Sequence, residues 1–163
     1  MKNLILVSIL IITISAVEAQ KLNRDEKKVL AIVDQRMPEA IAFLEKVVNI
    51  NSGTNNLNGV REVGMTFKKE LDAIGFSSQW ISMPEEMKRA GHLLAERKGI
   101  KGKKLLLLGH IDTVFEPQGE GSGFVREDSV AYGPGASDMK GGDMVMLYAL
   151  KALHEAKLLD NSQ

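Results

Sequence analysis

Cysteine is missing from the 163-residue chain, and its absence limits the kinds of site that the chain can form. Without cysteine there is no disulfide framework and no thiolate ligand, so imidazole and carboxylate groups must bind any metal ion. The lack of disulfides is compatible with an oxidising compartment but does not establish one. Aromatic residues make up only 5% of the chain, which argues against a surface that stacks nucleobases.

The chain also lacks an excess of charge of either sign. Lys plus Arg and Asp plus Glu number 21 each, and the formal net charge is zero. A basic surface for nucleic acid or for an anionic membrane is therefore not expected. The length is sufficient for one domain with a substantial core.

An apolar stretch near the amino terminus predicts a secretory signal. Lys2 supplies a positive charge, Leu4 to Val17 is apolar, and small residues precede an expected cleavage before Gln20. The stretch is short for a membrane span, and an uncleaved anchor is the alternative. No cysteine follows it, which excludes a lipoprotein anchor. We expect residues 1–19 to be removed and the remaining chain to be periplasmic or secreted, without membrane contact.

Four consecutive leucines, Leu105–Leu108, predict a strand buried on both faces, as in a parallel sheet covered by helices. A buried helix segment is the alternative, but the run is short and ends at Gly109, which favours a strand. His110 and Asp112 follow at the carboxyl end, where ligand sites form in open α/β sheets. Side chains two residues apart in an extended segment point the same way. This spacing suits a metal site, because a carboxylate usually holds the second ring N–H of a zinc-binding histidine.

A glycine-rich stretch places Asp138 directly before a predicted helix. The Gly-Pro-Gly sequence at 133–135 forces an irregular loop, and Gly141 and Gly142 allow close approach of the backbone. Anionic groups are favoured at the amino terminus of a helix. Taken alone, Asp138 is more typical of a turn or a helix cap than of a binding site.

The two segments together, GHIDTVF (109–115) and YGPGASDMKGG (132–142), resemble the co-catalytic zinc peptidase family. That family includes glutamate carboxypeptidase, acetylornithine deacetylase and succinyl-diaminopimelate desuccinylase, and the resemblance favours the bacterial glutamate carboxypeptidase branch. It extends over residues 47–54 and 71–76. The resemblance implies a three-layer, zinc-exopeptidase-like α/β fold that is incomplete here. Residues 20–163 would form the amino-terminal part of the catalytic domain, without the dimerisation domain.

The resemblance also implies roles for three side chains. His110 would bind one of two zinc ions, Asp138 would bridge both ions, and Asp112 would orient His110 as a catalytic residue. A cis peptide bond is implied at Asp138–Met139. The family further requires an adjacent Glu-Glu pair, another acidic ligand and a carboxyl-terminal histidine, which this chain does not supply. The pair Glu85–Glu86 precedes the leucine run and is therefore in the wrong place.

The expected function is that of a secreted metallocarboxypeptidase, of which this chain is the amino-terminal portion. The substrate would be a peptide or N-acyl amino acid with a carboxyl-terminal residue, glutamate by resemblance, and the full-length protein would be a homodimer. The isolated chain should bind zinc weakly and hydrolyse nothing.

Two other functions remain open at this point. One is an acetylornithine- or succinyl-diaminopimelate-type amide hydrolase, against which the signal sequence argues. The other is a non-catalytic secreted α/β module, which predicts that no apolar sheet edge is exposed. An incomplete peptidase instead predicts an unpaired edge beside Leu105–Leu108.

The rest of the chain predicts a succession of helices and strands. Asn23 and Glu26 form a possible capping box for a helix over 24–36, and Pro38 should break it and begin another. Asn51–Asn56 is interpreted as a polar connection without a catalytic group. The other predicted elements are a helix over 58–74, strands over 76–81 and 92–97, a hairpin over 124–132 and a helix over 142–158. The second strand is expected to pair antiparallel with the leucine strand through a turn at 99–102.

Overall fold

The structure is a computed structural model, and it describes residues 21–99, 101–102, 104–116 and 123–159. Its elements in chain order are α1 (Arg24–Val48), α2 (Leu57–Ala73), β1 (Ser77–Ile81), a 3-10 helix (Glu85–Met87), β2 (His92–Glu96), β3 (Val125–Glu127), β4 (Val130–Tyr132) and α3 (Lys140–Glu155). Helices combined with small antiparallel sheets confirm the expected α/β class in an incomplete form. The predicted signal, residues 1–19, lies outside the described residues. Among the described helices, none combines the length with the apolar character that a membrane-spanning segment requires.

Helix α1 begins at the predicted capping box but does not break at Pro38. The backbone N–H of Glu26 donates to Asn23 Oδ1 at 2.9 Å, and the N–H of Asn23 donates to Glu26 Oε2 at 2.7 Å. The predicted break was wrong, because the helix continues through the proline to Val48. Packing on both sides of Pro38 explains this: Ile32 lies in one buried cluster and Phe43 in another. A proline inside a helix costs about 3 kcal/mol, and burial of several large apolar side chains offsets that cost.

The core lies where α1, α2 and α3 meet. The rings of Phe43 and Phe67 pack edge to face, with centroids 5.1 Å apart. One lysine also links the three helices: Lys151 Nζ lies 2.9 Å from Glu39 Oε1 and 2.7 Å from Glu70 Oε2. Together with Phe43 and Phe67, the main buried cluster consists of Ala40, Leu44, Val47, Val48, Val63, Leu147 and Tyr148.

Strand β2 pairs with β1 and not with the leucine segment. The register is antiparallel, with Ser77 opposite Glu96 and Ile81 opposite His92. The predicted pairing of the second strand with Leu105–Leu108 was therefore wrong. Both strands alternate between exposed and half-buried residues, and they contact α2. Helix α2 thus covers the apolar face of the β1–β2 hairpin. This packing, and not the predicted turn at 99–102, determines that β2 pairs with β1.

The leucine segment is not a buried strand in this chain. Residues 104–112 have no strand assignment, and the side chains of Leu105–Leu108 are between 45% and 76% exposed. A buried strand needs hydrogen-bonded neighbours on its edges, and none of the four described strands pairs with this segment. The prediction of burial on both faces was wrong for that reason. The exposed leucines do agree with the unpaired apolar edge expected of an incomplete peptidase.

The carboxyl-terminal elements follow the sequence prediction closely. Val125–Glu127 and Val130–Tyr132 form an antiparallel hairpin, and Asp128 in its turn has a φ of 53°. Helix α3 begins two residues before the predicted start and ends at Glu155. Its buried face packs against α1. The loop before α3 therefore lies next to the carboxyl-terminal end of α1.

Candidate metal centre

His110 and Asp138 come from segments 28 residues apart in sequence, and their side chains meet. His110 Nε2 lies 2.9 Å from Asp138 Oδ1. The Asp138 side chain is 88% exposed, so its second oxygen is open to other ligands. The structure thus brings together the imidazole and the carboxylate that the sequence singled out as metal ligands. Their roles as ligands remain a prediction.

Asp112 occupies the other side of the His110 ring. Nδ1 of His110 lies 3.0 Å from the backbone oxygen of Asp112 and 3.5 Å from its Oδ1. The second carboxylate oxygen, Oδ2, accepts a hydrogen bond of 2.7 Å from the hydroxyl of Thr54. The imidazole therefore has acceptors at both nitrogens, with Nδ1 facing Asp112 and Nε2 facing Asp138.

These neighbours favour the protonated imidazole. Burial works against a charge on the ring, but the hydrogen bonds to Asp138 and Asp112 and the charges of both carboxylates outweigh it. The pKa of His110 is consequently raised above its ordinary value. The two carboxylates therefore stabilise a positive charge on the His110 ring.

The loop that carries Asp138 has the backbone features expected from its sequence. The peptide bond Asp138–Met139 is cis, as the family resemblance implied. Gly135 has a φ of 78°, and a Cβ atom there would lie 2.7 Å from Thr113 Cγ2. Glycine at 135 thus permits both the left-handed backbone and the close packing of the two site-bearing segments.

A buried lysine holds this loop from beneath. Lys140 is fully buried, and its Nζ donates to the carbonyls of Val47 and Ile50, both at 2.8 Å. Val47 lies in the last turn of α1, where helix carbonyls lack intrahelical partners and cations are favoured. Burial lowers the pKa of Lys140 to about 8, so the amine stays mostly protonated at neutral pH. Lys140 therefore ties the start of α3 to the end of α1.

Asp143 is a buried acid that the sequence did not single out. One of its carboxylate oxygens packs against Gly109, where any Cβ atom would clash with it. The other, Oδ2, is buried without a hydrogen-bond partner among the described residues. Burial raises the pKa of Asp143 to about 6, and the nearby His110 partly opposes this. Only a signal beyond local sequence could have found it, because a first-turn aspartate usually lies at the helix surface.

The donor set fits a zinc ion but does not complete its coordination. Imidazole nitrogen and carboxylate oxygen are both zinc ligands, and a zinc-binding histidine usually presents its second nitrogen to a carboxylate or a carbonyl. His110 supplies the imidazole, with Nε2 beside the Asp138 carboxylate, and presents its second nitrogen, Nδ1, to the Asp112 carbonyl. Across the described ranges no group of three or more potential ligands was found. Glu85 and Glu86 lie in the exposed 3-10 helix after β1 and do not join the site.

Comparisons with known proteins agree with these observations. Residues 106–162 match the family model of peptidase family M20/M25/M40. The chain is 37% identical over 148 residues to carboxypeptidase G2 of Pseudomonas sp. (strain RS-16), which covers 87% of this chain and 34% of that protein. It is 37% identical over 89 residues to succinyl-diaminopimelate desuccinylase of Acidiphilium cryptum (strain JF-5), which covers 52% of this chain and 22% of that protein. The chain thus spans about a third or less of the length of these relatives.

Proposed function

Because this chain belongs to peptidase family M20/M25/M40, we propose that it is the amino-terminal part of the catalytic domain of a secreted zinc carboxypeptidase. The family and both relatives support a peptidase or amidohydrolase. The proposed reaction is hydrolysis of the amide bond that joins a carboxyl-terminal glutamate to the rest of a peptide or to an N-acyl group. A periplasmic or extracellular location and a homodimeric full-length protein belong to the same proposal.

The contact between His110 and Asp138 carries this proposal. Their 2.9 Å approach would let His110 Nε2 and one oxygen of Asp138 bind the same ion, and the exposed second oxygen of Asp138 would be available to a second ion. Zinc bound there would supply Lewis acidity and a water of lowered pKa. Asp112 would hold the His110 ring in the orientation that presents Nε2, and Lys140 would hold the loop that carries Asp138.

The described residues offer fewer ligands at this site than catalysis requires. A catalytic zinc usually has three protein ligands, whereas His110 and Asp138 would provide two for one ion and Asp138 alone would bind the other. We therefore propose that the isolated 163-residue chain binds zinc weakly and hydrolyses nothing. Reading the coding DNA beyond codon 163 for an adjacent Glu-Glu pair tests whether the missing base and ligand follow.

Zinc binding by the chain itself is the direct test of the proposed site. Competition with a chromophoric chelator should show that His110→Gln weakens zinc binding about tenfold or more. His92→Gln, on the exposed edge of β2, is the matched control and should leave the affinity unchanged. Equal affinities in the native chain and the His110→Gln variant would contradict a metal site at His110.

A substrate panel on the protein from the full coding sequence tests the reaction. Peptides and N-acyl compounds ending in glutamate should be cleaved, and a chelator should abolish the cleavage. The 163-residue chain, assayed beside it, should show no chelator-sensitive activity. Activity in the isolated chain would contradict its proposed inactivity, and a preference for other carboxyl-terminal residues would contradict the proposed specificity.

An N-acyl amino acid deacylase or desuccinylase is the second candidate. The similarity of residues within this chain to succinyl-diaminopimelate desuccinylase favours it. The same panel separates the two candidates if it includes N-succinyl and N-acetyl derivatives of basic amino acids. A non-catalytic module is less well supported, because the exposed leucines are the apolar edge that such a module should lack.

A further inference from the structure

The polar loop Asn51–Asn56 is fixed against the segment that carries Asp112. The N–H of Thr54 donates to the carbonyl of Thr113 at 2.9 Å, and the N–H of Thr113 donates to the carbonyl of Ser52 at 2.8 Å. Gly53 and Thr113 form a parallel β-bridge. These paired hydrogen bonds fix the backbone of Thr54 beside the site, so its side chain has a defined direction.

The hydroxyl of Thr54 faces two acceptors. Asp112 Oδ2 lies 2.7 Å from Thr54 Oγ1, and the backbone oxygen of Thr113 lies 3.2 Å from it. A hydroxyl has one proton to donate, and hydrogen bonds to a charged carboxylate are shorter and stronger than those to a neutral carbonyl. The proton of Thr54 is therefore directed to Asp112.

This hydrogen bond determines which oxygen of Asp112 remains for His110. With Oδ2 occupied by Thr54, Oδ1 lies 3.5 Å from His110 Nδ1, beside the Asp112 backbone oxygen that is hydrogen-bonded to the same nitrogen at 3.0 Å. The Asp112 side chain is 36% exposed, and the hydrogen bond from Thr54 restrains the rotation of its carboxylate. We propose that Thr54 is a positioning residue for the metal centre: its hydroxyl holds Asp112, which in turn orients His110 toward Asp138.

The proposal rests on the function proposed above. It adds Thr54, which lies in a loop that the sequence analysis interpreted only as a connection. Partners of a metal-binding histidine commonly change metal affinity by about 10- to 100-fold when they are lost. Thr54 acts one contact further away, through Asp112. We therefore expect its hydroxyl to contribute near the lower end of that range.

Paired substitutions in the full chain test the proposal. Thr54→Val removes the hydroxyl and keeps the branched shape, whereas Thr54→Ser keeps the hydroxyl. We expect Thr54→Val to weaken zinc binding about tenfold and Thr54→Ser to change it by less than about twofold. Thr66→Val is the matched control, because the Thr66 hydroxyl donates to the Glu62 carbonyl of its own helix, at 3.0 Å. Native affinity in Thr54→Val, or equal losses in the Val and Ser variants, would overturn the proposal.

A second readout needs no metal. The ring ¹⁵N resonances of His110 in zinc-free protein, assigned with His110→Gln, report both the hydrogen bond and the carboxylate contact at Nδ1. Thr54→Val should shift them, while Thr54→Ser and Thr66→Val should not. Unshifted resonances in Thr54→Val would overturn the positioning role whether or not zinc binds. Shifted resonances in a protein that binds no zinc at His110 would instead support the Thr54 contact and contradict the proposed metal function.

Discussion

The segment from Lys104 to Glu116 consists of two halves with opposite environments. Its first half, Leu105–Leu108, is apolar and exposed, and no described strand pairs with it. Its second half, Asp112–Glu116, is more polar and is tied to the loop Asn51–Asn56 by backbone and side-chain hydrogen bonds. Hydropathy alone would have placed the first half inside the molecule and the second half at its surface.

The difference shows what positions the candidate site. Thr113 bridges Gly53, Thr54 holds Asp112, and Lys140 holds the loop of Asp138 against the end of α1. None of these contacts involves the leucines. The site geometry therefore depends on the helical core and on short polar contacts between segments distant in sequence.

The largest expected effect comes from removing the lysine that holds the Asp138 loop against the end of α1. Lys140→Met would leave the carbonyls of Val47 and Ile50 without their donor, and we expect a loss of about 3 kcal/mol in the free energy of unfolding. Urea unfolding followed by circular dichroism measures it. Lys69→Met, at an exposed position on α2, should change the value by less than about 0.5 kcal/mol. Equal midpoints for the two variants would show that the link between α3 and the end of α1 does not need Lys140.

An intermediate effect should come from Asp143, which packs against Gly109 between the two halves. Its folded-state pKa of about 6 exceeds the ordinary value of 3.8, so the folded state binds the proton more tightly than the unfolded state. The resulting stabilisation is present below the unfolded-state pKa and is lost as pH rises through about 6.

Asp143→Asn should remove this pH dependence. Relative to the native chain, its free energy of unfolding should gain about 2 kcal/mol between pH 4.5 and pH 7.5. Urea titrations at the two pH values, with Asp34→Asn on the exposed face of α1 as the control, measure the gain. The idea fails if native chain and variant show the same change between the two pH values.

The smallest effect is expected in the leucine half. Because Leu106 is 75% exposed, Leu106→Ala should change the free energy of unfolding of this chain by less than about 0.5 kcal/mol. The same substitution at Leu147, which is 2% exposed in the core, should cost about 3 kcal/mol. A large loss in Leu106→Ala would show that the leucine run is buried in solution, and the contrast between the two halves would then be wrong.

Local signals in the sequence predicted most of the elements correctly. The capping box at Asn23 and Glu26, the helix that ends before Gly75 and the hairpin around Asp128 depend on short-range chemistry, and all were confirmed. The errors arose where distant packing decides the outcome. Pro38 stays inside α1 because both halves of the helix pack against α3, and β2 pairs with β1 because α2 covers their common face.

The candidate site shows the same division. His110, Asp112 and Asp138 were identifiable from their spacing and from their resemblance to a known family. Thr54 and Asp143 were not, since a hydroxyl 58 residues from its acceptor and a carboxylate buried against a glycine leave no local pattern. The sequence by itself therefore determined which groups are available for metal chemistry, because residue type and spacing set the possible ligands. Only the tertiary structure decided which side chains hold those groups in place, because hydrogen bonds between distant segments form only after the helices have packed.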